Sequence, residues 1–458
     1  MNYRKVLYWS ITVALGGFLF GFDTAVISGG VDAIKELWGL NNAMTGQMVA
    51  MALYGTVIGA LFGGIPADRI GRKRTLFWIA ILYLISAAGS ALAPDVYSLM
   101  IFRFIGGLGV GASSVVAPMY IAEIAPTQYR GRLTAIFQFN LVLGILIAYV
   151  SNWMIGGGGD GGWRIMLGVE VIPALAFVFM ILGVPRSPRW LVVKKGLVDE
   201  AREVLNMIYS GSGSNAETIL DEAGTNPVDA ALAAMESSDN IKGSGFKEFI
   251  SGRFNLPIML AFVIAFFNQL SGINAVIYYA PSIFKDTGME ESSALLSTAG
   301  VGLVNLIFTM AGLYLIDRMG RRFLMYIGSV GYIVSLAFVS WAFYTQSFDG
   351  FLVPFWIFAF IASHAIGQGA VIWVFISEIF PNEVRGFGNS MGCGTHWVFA
   401  ALVAGTFPYI EGQFDNAWPI FAFFSFMMVL QLLWVWRVMP ETKGVSLEDL
   451  EKQLVKSQ

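Results

Sequence analysis

Charge is what this sequence has least of. Asp, Glu, Lys and Arg together make up 13% of its 458 residues, about half the share found in a soluble domain. A chain of this length would suit about three soluble domains, yet so few charges cannot cover their water-facing surfaces. Cysteine is nearly absent: the lone Cys393 excludes a disulfide framework and a cysteine-built zinc site. A formal charge of −3 offers no basic field for nucleic acid. No nucleophile–base set and no metal-ligand cluster stands out, which argues against an enzyme and implies no cofactor. Apolar residues are plentiful instead, 56% hydrophobic and 14% aromatic. The chain reads as an integral membrane protein whose main partner is the lipid bilayer.

A bilayer core about 30 Å thick takes roughly 20 apolar residues of helix. Such stretches fall at 7–29, 44–66, 76–93, 97–120, 133–155 and 165–184, then at 254–284, 292–316, 323–345, 351–378, 388–410 and 416–438. The expected fold class is an all-α membrane protein with twelve spans in two six-helix halves. Residues 1–184 are the expected N-terminal bundle, 185–253 a helical linker, 254–440 the C-terminal bundle and 441–458 a tail. Within the linker, Leu197, Ala201, Leu205 and Ile208 recur at helical spacing and predict a helix over 194–208. Ser210–Ser214 reads as a flexible break, and 227–237 and 246–251 as short helices. Basic residues gather after even-numbered spans: Arg69, Arg72, Lys73 and Arg74, then Arg130 and Arg132, then Arg318, Arg321 and Arg322, then Arg385. The positive-inside rule therefore puts the linker and both termini in the cytoplasm. Arg4 and Lys5 precede the first apolar run, but the run is too long for a signal peptide and lacks a small-residue cleavage site, so it is read as a retained helix.

Two motifs recur in the same order. Asp68-Arg69-Ile70-Gly71-Arg72-Lys73 is echoed by Asp317-Arg318-Met319-Gly320-Arg321-Arg322, shifted by 249 residues. Glu123-Ile-Ala-Pro126, leading to Arg130-Gly131, is echoed by Glu378-Ile-Phe-Pro381, leading to Arg385-Gly386, shifted by 255. Such recurrence at matching helix ends indicates duplication, and parallel halves related across the membrane normal point to a transporter with a midplane site. Glu123 and Glu378 lie near the ends of spans 4 and 10, within reach of Arg69, Arg72, Arg318 and Arg321. The arginine fork suits bidentate pairing with carboxylates. Such pairs either gate the cytoplasmic side or are incidental to basic loops that orient the helices. Glycines at 55, 59 and 63, and at 107 and 111, form stripes that permit close helix approach.

These residues carry a family resemblance along the whole chain. Gly21-Phe-Asp23-Thr-Ala-Val-Ile-Ser28-Gly29, Pro185-Arg-Ser-Pro188-Arg189-Trp-Leu191, Gln269-Leu-Ser-Gly272-Ile-Asn274 with Tyr278-Tyr279, and Pro440-Glu441-Thr442-Lys443-Gly444 resemble, in order, signatures of the sugar porters of the major facilitator superfamily. Arg186 replaces the usual acid of the second block. The resemblance implies a gating role for the loop charges, with the linker helices as a cytoplasmic latch.

Asp23, Arg103 and Glu170 lie inside predicted spans, where a charge costs at least about 2.5 kcal/mol unless paired or hydrated. Asp23 and Arg103 are the natural couple. They form either a static pair locking spans 1 and 4 or a pair whose rearrangement binds and releases a proton. The resemblance implies the second, because proton-coupled sugar porters carry Asp at the position of Asp23, and it places Glu170 near the arginine as a tuning acid.

A sugar site needs paired donors and acceptors and a flat apolar face, which amides and Trp supply. By position the resemblance implies that Gln138, Gln269, Asn274, Tyr278, Asn305 and Trp373 contact a monosaccharide, hexose or pentose, with Tyr279 as an extracellular gate. A lone amide could equally hold helices together. Asn268, which departs from a usual Gln, belongs to the same expected substrate-binding set, and Gly369-Ala370 departs from a common Gly-Pro. The resemblance aligns His364 with an aromatic sugar-contact position and His396 with an amide, so each either contacts the substrate or is a satisfied structural residue of its helix. The expected function is monosaccharide–proton symport by alternating access in a bacterial inner membrane, by a monomer. A uniporter and a membrane sugar sensor are the alternatives.

Overall fold

The computed structural model describes residues 2–126, 129–156, 161–210, 226–238, 246–348, 350–381, 383–445 and 447–455. The expected break at Ser210–Ser214 lies mostly outside the described residues. Twelve long helical segments run in sequence: α1 (Tyr3–Val26), α2 (Asn42–Phe62), α3 (Arg72–Leu92), α4 (Val96–Ile124), α5 (Arg130–Ile155) and α6 (Gly162–Leu182), followed by α7 (Asn255–Asp286), α8 (Glu291–Met319), α9 (Arg321–Thr345), α10 (Leu352–Glu378), α11 (Arg385–Glu411) and α12 (Trp418–Arg437). Each lies within about four residues of an expected span. Eleven of them are long and apolar enough to cross a membrane by composition. The exception, α11, is 27 residues long but carries Asn389, Ser390, Thr395 and His396 among five glycines, which dilutes its hydropathy.

Packing repeats as the motifs do. In the first half α1 lies on α5, α2 on α4 and α3 on α6; in the second α7 lies on α11, α8 on α10 and α9 on α12. The halves meet through α2 against α11 and α5 against α8, two contacts that exchange under the same symmetry. The glycine stripes serve the α2–α4 crossing: a Cβ on Gly107 would sit 1.9 Å from the Ala52 carbonyl oxygen, and one on Gly55 2.2 Å from that of Phe104. Backbone meets backbone there, and only hydrogen fits between them.

Three segments are interrupted, each beside a polar residue of interest. α6 breaks at Val169 and Glu170. α7 breaks after Leu270, where Ser271 Oγ donates to the Asn268 carbonyl at 2.7 Å and accepts from the Ile273 amide. Gly272 turns the chain at φ +83°, with the Phe424 ring against the place a Cβ would take. α10 loosens into a π-helical turn over Ala365–Gly369, a form often found at functional sites. The linker helix starts later than expected, at Val198 rather than 194: Lys194 and Lys195 belong to a π turn that Gly196 closes in the left-handed region. Short helices at Pro227–Ser238 and Phe246–Phe249 match the remaining linker expectations.

Candidate functional site

At the end of the molecule bearing the basic loops, the two repeats build the same ion cluster twice. Arg72 bonds Glu123 at 3.0 Å and Asp68 at 2.9 Å, and reaches the Ala67 carbonyl. Arg321 holds Glu378 with both fork nitrogens, at 2.7 and 3.1 Å, with Asp317 at 3.3 Å and the Ile316 carbonyl alongside. A hydroxyl completes each cluster: Ser187 donates to Glu123, and Thr442 to Glu378 at 2.6 Å. Ser187 and Thr442 are themselves 255 residues apart, the shift that relates the two glutamates. Glu441 accepts from the first two amides of α9, Arg321 and Arg322, where the helix dipole favours a carboxylate. Of the other expected gating residues, Arg69 and Arg130 are exposed, Arg318 lies over the Tyr314 ring and Arg385 donates to the Phe380 carbonyl. Among the described residues neither cluster bonds one six-helix half to the other; the linker's Ser187 joins the first and the tail's Glu441 and Thr442 join the second.

The described ion pair that joins the halves lies at the opposite end. Asp32, just after α1, accepts from Lys285 at 3.0 Å and from Ser282 at 2.8 Å on α7. Nearby, Tyr149 of α5 donates to the Ile277 carbonyl at 2.7 Å, and Gly46 of α2 packs on the backbone of Gly405. Tyr279 donates to the Ala404 carbonyl at 2.8 Å, tying α7 to α11 within one half.

Inside the first half, Asp23 and Arg103 form an ion pair at 2.7 Å, 2% and 1% exposed respectively, and Arg103 also reaches the Asp23 carbonyl at 3.0 Å. Both bonds use one guanidinium nitrogen. Among the described residues Arg103 Nε and Nη2 have no partner, and neither does Oε1 of Glu170, itself 2% exposed and within Coulombic reach of both. The donor-rich arginine thus interacts with two acids and is bonded to one of them.

The second half holds the polar cluster. Gln269 Nε2 donates to Asn268 Oδ1 at 2.9 Å and lies 3.2 Å from the nearer His396 ring nitrogen, while Oε1 accepts from Asn274 Nδ2 at 2.6 Å. The Trp373 ring, 39% exposed, leans on His396 with centroids 4.9 Å apart. Asn268, Gln269, Asn274, Trp373 and His396 therefore come together. Tyr278 is buried against Thr24, next to Asp23, so the two halves touch where the ion pair meets the amides. Gln138 is half-buried on α5, and Asn305 on α8 accepts from Thr309 at 3.2 Å. His364 bonds the Tyr332 hydroxyl instead of joining the cluster. With its donors taken by Asn268 and His396, Gln269 can offer a ligand only spare lone pairs on Oε1.

A family model described as "Sugar (and other) transporter" matches residues 9–454. The chain belongs to the sugar porter family. Among the porters it matches, it is 35% identical to the D-xylose-proton symporter of Escherichia coli, over 98% of this chain and 96% of that one. It is also 35% identical to the arabinose-proton symporter of Bacillus subtilis, over 98% and 95%. The inward-open structure of the xylose transporter XylE superposes with a TM-score of 0.84 at 33% identity, covering 98% of this chain and all of that one. XylE bound to 6-bromo-6-deoxy-D-glucose gives 0.77 at 34%, covering 99% and all. This porter is thus a multi-pass membrane transport protein of the major facilitator superfamily and not an enzyme. Asp32, Ser282 and Lys285 escaped the sequence reading; Ser187 and Thr442 stood inside quoted signature blocks, but their bonds to Glu123 and Glu378 were not foreseen, and the 255-residue shift was the available signal.

Proposed function

We propose that this porter carries a monosaccharide together with a proton by alternating access, and that the structure holds the site open to the cytoplasm. The observation that carries the coupling is the Arg103 guanidinium with two unpartnered nitrogens, interacting with a bonded Asp23 and an unbonded Glu170. When Asp23 takes up a proton its carboxylate becomes a neutral acid and the ion pair is lost. A buried arginine left alone is strongly unfavourable, and Glu170 supplies the other acceptor. Release of the proton returns Arg103 to Asp23. Tyr278 and Thr24 connect this exchange to the amide cluster of the second half, which offers the hydrogen-bond groups and the Trp373 face a pyranose would use. The cytoplasm-facing assignment draws on the Asp32–Lys285 pair and Tyr149–Ile277 bond at the far end and on the better fit to the inward-open relative.

The test is uptake of D-xylose, L-arabinose and D-glucose into proteoliposomes with and without an imposed proton gradient. Symport predicts accumulation of at least one sugar above its external concentration, only with the gradient. Equilibration without accumulation would make the protein a uniporter.

A further inference from the structure

The amide cluster does not end at the residues that could face a sugar. Asn268 Nδ2 donates at 3.2 Å to Oε1 of Gln368, in the π turn of α10. Gln368 Nε2 donates at 2.6 Å to Oε1 of Gln431 on α12, and Gln431 Nε2 donates at 2.8 Å to Ser329 Oγ on α9. With Asn274 donating to Gln269 and Gln269 to Asn268, six residues form one head-to-tail chain across four membrane segments. Gln368, Gln431 and Ser329 are each 0% exposed, and every link runs in the same direction.

Gln368 and Gln431 are too deeply buried to touch a sugar, and an apolar helix interior does not require two glutamines. We propose that they are positioning residues for substrate recognition. Gln431, anchored on Ser329, fixes Gln368, and Gln368 holds the amide plane of Asn268. Asn268 then orients Gln269, directing its Oε1 lone pairs. The π turn carries this link, since Gln368 lies within it and is buried in the bundle. Chains of such bonds polarise one another in a low dielectric, so a break at the far end is felt at the near end. This proposal rests on the sugar reading above.

The experiment is a double-mutant cycle on the full-length porter in detergent. D-xylose, L-arabinose and D-glucose serve as probes for equilibrium binding, and thermal stability is read in parallel. Gln431→Met keeps side-chain length but cannot continue the chain. It is expected to weaken sugar binding about tenfold in the native background and less than twofold in an Asn268→Ala background, where the chain is already cut. Gln431→Glu, in its neutral form, keeps the carbonyl acceptor for Gln368 and donates its O–H to Ser329, and is expected to recover most of the lost affinity. A merely structural role would instead lower stability while leaving the dissociation constant unchanged, or would weaken binding equally in both backgrounds, and either result overturns the proposal. If the native protein binds none of the three sugars, the sugar reading falls and the positioning role falls with it; binding that is indifferent to Gln431 removes the positioning role alone.

Discussion

A carboxylate at Asp23 and a guanidinium at Arg103 tolerate burial because each neutralises the other. Among the described residues two arginine nitrogens and one Glu170 oxygen remain unsatisfied, which supports the proposed coupling role over a static lock. Removing the titratable proton should separate coupling from binding. Asp23→Asn retains a hydrogen-bonding side chain of the same size but cannot cycle a proton, so it should abolish gradient-driven accumulation while sugar exchange across the same vesicles persists within about tenfold of the native rate. Concentrative uptake by that variant would refute the coupling role. At this scale the sequence was partly legible. An acid and a base inside apolar spans stand out, because insertion makes them unfavourable without a reason. Gln368 and Gln431 do not stand out, since a lone amide in a membrane helix reads as packing until its partners are seen. Ser187 and Thr442 sit in recognisable signature blocks, yet a hydroxyl at a helix end does not announce which carboxylate it will bond.

At the scale of helices, hydropathy located the spans because a bilayer imposes one length on all of them. It could not locate the breaks in α6, α7 and α10, which depend on single residues such as Gly272 meeting Phe424. The linker helix began at Val198 because Gly196 redirects the chain, a choice that the apolar spacing from Leu197 onward did not reveal. The glycine stripes were legible, and their purpose can be tested by contrast. Gly107→Ala places a methyl against the Ala52 carbonyl oxygen, where the backbone cannot yield. It should cost about 1–3 kcal/mol and lower the melting temperature in detergent by several degrees. Gly131→Ala, in the first turn of α5 with open space around it, should be neutral or slightly stabilising by helix propensity. Equal effects from the two substitutions would mean that the α2–α4 crossing is looser than described.

Across the whole molecule, the charges of the basic face pair within two like clusters, one for each half, while the far face is joined by Asp32 and Lys285. The sequence showed the first arrangement as a repeat. It gave no sign of the second, because Asp32 and Lys285 belong to no motif and are 253 residues apart. Both side chains are partly exposed, 41% and 32%, so the pair contributes less than about 1 kcal/mol and is screened by salt. Asp32→Asn should nevertheless tilt the balance toward the outward-facing state. A cysteine at Ile277, whose backbone alone bonds Tyr149, should react with an impermeant maleimide from the far side up to about fivefold faster in Asp32→Asn, in a Cys393→Ser background. High salt should reproduce part of the effect, and an unchanged rate would show that the latch carries no weight.

The amide chain also has a handedness in time. Each member gives its proton toward Ser329, so turning one amide over would set donor against donor and acceptor against acceptor. Reversal has to run through all the linked amides or through none. The second half thus contains a polar spine with two self-consistent orientations, one leaving lone pairs free at Gln269 and the other an N–H group; if the proposed sugar site is correct, the orientation would select which sugar hydroxyls it accepts.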